Sequence, residues 1–292
     1  MPTGIGEDLV MSGKWKIFHL AAISALLIMS HTFGAPLPAI LTGKWQVKEV
    51  HLNTESGRTT EYAWNDPRLN GRIFEFTPDE VSDDADDFPG RCAEPTAHDI
   101  DASLRDLMLR SLGGYAYPAP ADVDPVRDYK LESAEGMHIR AFTLMCTTGR
   151  WQGDLGRSDN TDNKHKGIPG AWIALADDQK MYLRWRDEVM LVLMKIPSNA
   201  PIQASFPCLK ASTSTEHAIC GSYQLAAFDQ SIAESYRRAV AQAKASGSPM
   251  VTLIQDQRLW IKDRDACGAN VQCILGSMRR RLAELAAGSN GS

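Results

Sequence analysis

Two rhythms of apolar residues divide this 292-residue chain. Between residues 36 and 198 they alternate in twos, the period of a strand with one face buried. Leu41 to Val47 opens the region, with Trp45 and Val47 set against polar neighbours, and Arg72 to Phe76 and Met137 to Cys146 follow. Ala171 to Ala176, Lys180 to Arg186 and Val189 to Ile196 are three closely spaced strands, turned at Asp177-Asp178-Gln179 and Asp187-Glu188. Along the middle one Met181, Leu183 and Trp185 point one way while Tyr182, Arg184 and Arg186 point the other, which predicts an antiparallel meander wet on one face. One helix is predicted here, from Ile100 to Leu112, with Leu104, Leu107, Met108 and Leu112 on one side. Asp79 to Gly90 and Gly153 to Gly167 hold too little apolar surface for a core and are expected as surface loops.

After Ser205 the period lengthens to three and four. Leu225, Phe228, Ile232, Tyr236 and Ala239 or Val240 form one stripe behind the N-cap candidate Ser222, ending at Ala245-Ser246-Gly247-Ser248-Pro249. Leu253, Gln257, Trp260, Ile261 and Arg264 form a second stripe, and Val271, Ile274, Leu275, Met278, Leu282 and Leu285 a third. Three short helices sharing one small core are expected over residues 205–286, with 287–292 as a disordered tail. A domain of roughly 80 residues gains from covalent staples. Cys208 and Cys220 bracket a Ser/Thr-rich turn, and Cys267 and Cys273 bracket Gly268-Ala269-Asn270. The simplest pairing joins each cysteine to its near neighbour, although four cysteines permit three connectivities. Cys92 and Cys146 are then left to close a long loop in the β region.

Composition is that of an ordinary globular protein with a net charge of −5. The charge is unevenly placed. From Ser205 onward ten Lys/Arg face seven Asp/Glu, residues 1–35 balance, and residues 36–204 carry −8. Such a balance argues against nucleic acid, whose affinity comes from neutralised phosphates. Within the leader region 1–35, residues 11–35 read as a secretory signal with Met11 as its start: Lys14 and Lys16 precede an apolar stretch from Ile17 to Ser30 that is short for a bilayer, and small residues at Gly34-Ala35 offer the cut. Left uncut, the leader would be the one membrane anchor. An exported chain meets an oxidising compartment, so all six cysteines are expected as disulfides.

Phe206, Cys208, Lys210-Ala211-Ser212, Glu216, Ile219-Cys220, Leu225, Asp229, Tyr236, Trp260, Arg264-Asp265 and Cys267, with Arg281 and Leu285 closing, resemble the LprI-type lysozyme inhibitor family of bacterial envelope proteins. The resemblance covers residues 205–285. It implies a disulfide-held helical domain in which Phe206, Glu216, Asp229, Tyr236, Trp260, Arg264 and Asp265 are scaffold. Gly43-Lys44-Trp45 at the first strand, with the closing hairpins, is similar to the lipocalin-like barrels. Barrel closure also removes the exposed edges of such a meander. The fold class expected is α+β with two domains, an antiparallel β barrel-like domain (36–198) followed by a small helical one.

No convergent catalytic set stands out. His51, His98, His138, His165 and His217 are scattered, and neither cysteine spacing is that of a zinc site, so neither metal nor cofactor is expected. Trp260 with Arg264 reads as packing, and Arg279-Arg280-Arg281 as a solvated helix face. The function expected is therefore binding: an exported inhibitor whose partner is a lysozyme-type muramidase, of a host or a rival. Asp83, Asp84, Asp86 and Asp87 in the first polar loop would steer a basic enzyme, and Ser212 to Glu216 or Ala245 to Pro249 would reach it. Two other readings are an envelope interaction protein without inhibitory activity and a carrier holding an apolar molecule among Trp45, Phe74, Phe76, Leu183 and Trp185.

Overall fold

In the computed structural model, which describes residues 35–85, 91–132, 139–149, 151 and 172–289, alternation in twos becomes one antiparallel sheet of eleven strands. They are β1 (Ala35–Pro36), β2 (Gly43–His51), β3 (Ile73–Phe76), β4 (Glu80–Asp83), β5 (Arg91–Ala93), β6 (Thr96–Ile100), β7 (Arg140–Met145), β8 (Thr148–Gly149), β9 (Trp172–Leu175), β10 (Lys180–Arg184) and β11 (Met190–Ile196). The hydrogen-bonded order is β1-β6-β7-β9-β10-β11-β2-β3-β4-β5-β8. The leader and the polar stretch Gly153 to Gly167 lie outside the described residues.

That order explains why the sheet curls. β5 runs into β6 across Glu94 and Pro95, and β7 runs into β8 across Cys146 and Thr147. In the sheet, however, β6 and β7 stand near one end and β5 and β8 at the other. Two short chain segments therefore supply both ends, which can happen only if the sheet bends round to meet itself. The two segments keep one register throughout: Ile100 opposes Ala141, Ala97 opposes Leu144, Ala93 opposes Thr148 and Cys92 opposes Gly149. Between the paired runs, the Thr147 N–H donates to the Ala93 carbonyl at 3.0 Å. The Cys92–Cys146 disulfide sits at this junction, with its Cα atoms 5.0 Å apart. Gly149 is required there, because at φ +81° an added Cβ would lie 1.9 Å from the Arg91 carbonyl oxygen. The result is the expected barrel-like form.

Its interior is filled. Trp45, Phe74, Phe76, Leu183 and Trp185 are all buried in one cluster. Phe74 meets Trp185 edge-on at 5.4 Å between centroids, and Phe76 lies 5.7 Å from Trp151. These are the side chains a carrier would need around an open cavity, and they pack on one another instead.

The expectation of a wet outer face is corrected. Tyr182 and Arg184 are buried, and Trp172, Ala174, Tyr182, Met190 and Val192 form a second core beneath α1 (Leu104–Ser111) and α2 (Pro125–Asp128). Residues between β6 and β7 fold back over β9 to β11, so this sheet has apolar layers on both sides. The helix expected from Ile100 begins at Leu104, since Thr96–Ile100 pairs with β7 and the Ser103 hydroxyl caps the helix by accepting from the Asp106 N–H at 3.1 Å.

The helical domain contains a 3-10 turn (Cys208–Lys210), α3 (Ser214–Cys220), α4 (Tyr223–Ala245), α5 (Val251–Asp265) and α6 (Val271–Ser289). There are four α-helices in place of three, because the Ser/Thr-rich stretch is itself helical. Thr213 and Glu216 make a reciprocal capping box at its start. Ser222 caps α4 as expected. Ile219, Leu225, Phe228, Ile232, Ile274, Met278, Leu282 and Leu285 form the core, while Ile261 and Val271 fall outside it and are exposed. α6 continues to Ser289, past the expected start of the tail at Ala287.

All six cysteines are paired, and the local pairing holds: Cys208–Cys220 and Cys267–Cys273. Loop-closure entropy predicts about 4 kcal/mol from Cys92–Cys146 and about 2 kcal/mol from Cys267–Cys273. Urea denaturation of Cys92→Ser/Cys146→Ser and Cys267→Ser/Cys273→Ser variants should therefore show the larger loss in the first. The reverse order would contradict the role given to the barrel junction.

Candidate functional site

Three of the residues marked as helical scaffold, Asp229, Trp260 and Asp265, converge on Arg264. Its guanidinium is buried, pairs with the Asp265 carboxylate at 2.8 Å and with Asp229 at 3.6 Å, and lies over the Trp260 ring at 5.2 Å. The Trp260 indole N–H donates to the Ser277 hydroxyl at 3.1 Å, which ties α5 to α6. Asp229 also accepts from the Ser205 N–H at 2.6 Å, so the chain entering the domain is tied to the same cluster. Phe206 and Tyr236 are half-buried against the apolar core. Each of these side chains faces the fold, which agrees with a packing use for Trp260 and Arg264.

Glu216 is a half-buried residue in the first turn of α3. It accepts from the Ser212 N–H at 2.7 Å and the Thr213 N–H at 3.1 Å, and these backbone donors hold its carboxyl below the usual range. Ser212 is exposed. Elsewhere on the helical domain Leu209 on the 3-10 turn is fully exposed, and Leu259 on α5 is 60% exposed.

Sequence reasoning missed the seam between the two domains, which belong to one compact unit. Arg72 is wholly buried there. Its guanidinium lies 3.3 Å from the centre of the Phe228 ring on α4 and donates to the Ser231 hydroxyl at 3.0 Å. Arg279 on α6 flanks the same ring at 5.7 Å and donates to the Asp84 carbonyl at 3.4 Å. Burial pulls the Arg72 guanidinium down to about 10, so it stays charged at neutral pH. The Ser231 hydroxyl oxygen lies 2.9 Å from the Asn70 carbonyl oxygen, bringing α4 against backbone. Gly71 permits this approach: at φ +85° an added Cβ would stand 2.9 Å from the Ser231 oxygen.

The acidic loop is corrected by the same seam. Asp83 ends β4 and Asp84 follows it, and both are buried. Asp84 accepts from the Ile73 N–H at 2.6 Å, and burial pushes its carboxyl up, against the pull of Arg72. Neither faces solvent as a steering charge should; Asp86 and Asp87 lie outside the described residues. The basic run is corrected too. Arg281 is buried, donates to the Gln257 side chain at 3.0 Å and pairs with Glu284 at 3.0 Å, and Arg279 joins the seam, leaving Arg280 as the exposed member.

His51 illustrates why lone histidines carry little signal. It is buried, with one ring nitrogen 2.8 Å from the Tyr129 carbonyl and the other 2.6 Å from Glu49. Among the described residues no group of three or more His, Cys, Asp or Glu is placed to hold a metal, and no helix is long and apolar enough to cross a membrane.

Two substitutions test these assignments. Gly71→Ala combines left-handed backbone strain with a clash across the seam, and should lower unfolding free energy by about 1–3 kcal/mol in denaturant titration. Adding Ser231→Ala removes the clash but also the hydroxyl that accepts from Arg72, so the double variant should stay below the parent in stability. Glu216→Gln should cost at most about 1 kcal/mol at neutral pH, the order of a helix cap. A carboxyl held low in the fold stabilises above its unfolded value, near pH 4, and that contribution fades as pH falls through the folded value. The gap between the parent and Glu216→Gln should therefore close in acid. A gap that widens there would contradict the capping role.

No curated protein and no solved structure matches the chain. Residues 208–285, which hold the two local disulfides and the Arg264 cluster, match the family model described as Lysozyme inhibitor LprI, and in this segment the chain is similar to that family.

Proposed function

We propose that the mature chain is an exported inhibitor of a lysozyme-type peptidoglycan hydrolase, acting by binding and not by catalysis. The observation that carries this reading is the LprI match over residues 208–285, the segment that folds as a stapled helical domain. Three disulfides suit an oxidising compartment. The leader at residues 1–35 supplies the route to the periplasm or beyond. The filled barrel interior favours this reading over a carrier.

Contact is assigned to the helical domain and approach to the barrel. An inhibitor must cover or enter the enzyme's cleft, and exposed side chains of the helical domain such as Leu209, Ser212 and Leu259 provide the contact area. Lysozymes are commonly basic, so the −8 carried by residues 36–204 draws the enzyme in. With Asp83 and Asp84 buried, that attraction comes from the domain's other acids.

The test is turbidity clearance of peptidoglycan by a panel of muramidases, animal and bacterial, with and without the purified chain. At least one enzyme should be slowed, and Leu209→Asp should weaken inhibition about tenfold, roughly 1.4 kcal/mol of binding. If no muramidase is slowed, an envelope interaction protein without inhibitory activity is the better reading.

A further inference from the structure

A cleft of about 470 Å³ opens where the barrel meets α4 and α6. Its walls carry four arginines, Arg68 and Arg186 from the barrel and Arg279 and Arg280 from α6, against two acids, Glu61 and Asp84. The chain as a whole is acidic, at −5, so this concentration of guanidinium groups runs against the average. Tyr62 and Phe228 add apolar wall. Behind the Phe228 ring stands a fifth guanidinium, that of fully buried Arg72, two of whose nitrogens have no hydrogen-bond partner among the described residues.

We propose that this cleft binds a small multivalent oxyanion, a ligand that presents two or more carboxylate or phosphate groups. The guanidinium fork matches both group types in a bidentate geometry. Its five N–H donors let one arginine serve the fold and a ligand together. Arg68 pairs with Asp66 at 2.8 Å, and Arg279 donates to the Asp84 carbonyl, so each is oriented by contacts within the chain. Arg186 and Arg280 are exposed and face the cleft from opposite domains. A ligand held between them bridges barrel and helices. The cleft's size is that of an ordinary small-molecule site. Of the two acids in the lining, Asp84 has its charge offset by Arg72 and Arg279 beside it. This site is separate from the contact surface proposed above, and neither proposal depends on the other.

The experiment is calorimetric titration of the chain lacking its leader with citrate and with pyrophosphate, at low and physiological salt, with N-acetylglucosamine as a neutral control. Saturable one-site binding of an anion that weakens with salt is expected. Citrate alone binding would assign carboxylates, and pyrophosphate alone would assign phosphates. Arg186→Gln/Arg280→Gln should raise the dissociation constant at least tenfold. Arg237→Gln/Arg238→Gln, an equal charge loss on exposed α4 positions outside the cleft lining, should leave it unchanged. Ala283→Glu, which adds a negative charge to the exposed rim, should also abolish binding and guards against loss of fold in the first variant. No saturable binding of either anion, or binding that survives both cleft variants, would overturn the proposal.

Discussion

The wedge of Arg72 between sheet and helix is the constraint on which the two-domain arrangement depends. A guanidinium removed from water is costly unless its surroundings replace what water supplied. Here the replacement is partial and comes from both domains: the Phe228 ring and the Ser231 hydroxyl from α4, and Asp84 just after β4. Separating the domains would strip the first two away together. Gly71 keeps the seam tight by letting α4 approach the backbone. The helical domain is therefore presented on the barrel in a defined orientation.

Barrel closure depends on a second local device. β5 with β6, and β7 with β8, are each one continuous segment that links the far end of the sheet to the strands next to β1, so each link of the closure is local in sequence even though the disulfide spans a separation of 54 residues. The long insert between β6 and β7 returns to cover the outer face of β9 to β11. A two-sided sheet explains why Tyr182 and Arg184, which alternate like solvent-facing residues, are buried. Alternation reports that two faces differ, and cannot report that another segment covers the polar one.

The same distinction separates what was legible from what was not. Stripes at three and four residues placed α4 and α6 and the core residues Phe228, Ile274 and Leu282, because those contacts repeat locally along a helix. Near-neighbour cysteines were legible for the same reason. Asp83 and Asp84 sit in an acidic run whose composition says surface, yet β4 continues through Asp83, and Asp84 is bonded to the Ile73 backbone. Arg72 and Ser231 are separated by more than a hundred and fifty residues, and nothing in the period of either neighbourhood announces their meeting. Glu216 was recognised as scaffold, but its position three residues after Thr213 is a capping-box spacing, a signal present in the sequence that was read as a turn.

In the function proposed, the helical domain makes the contact with a hydrolase and the barrel has a supporting part. Hydrogen–deuterium exchange on the whole chain, alone and saturated with a muramidase it slows, tests that division most directly. New protection should fall on residues 208–220 and on the exposed side of α5, with the barrel strands unchanged. Protection confined to the barrel would contradict the account.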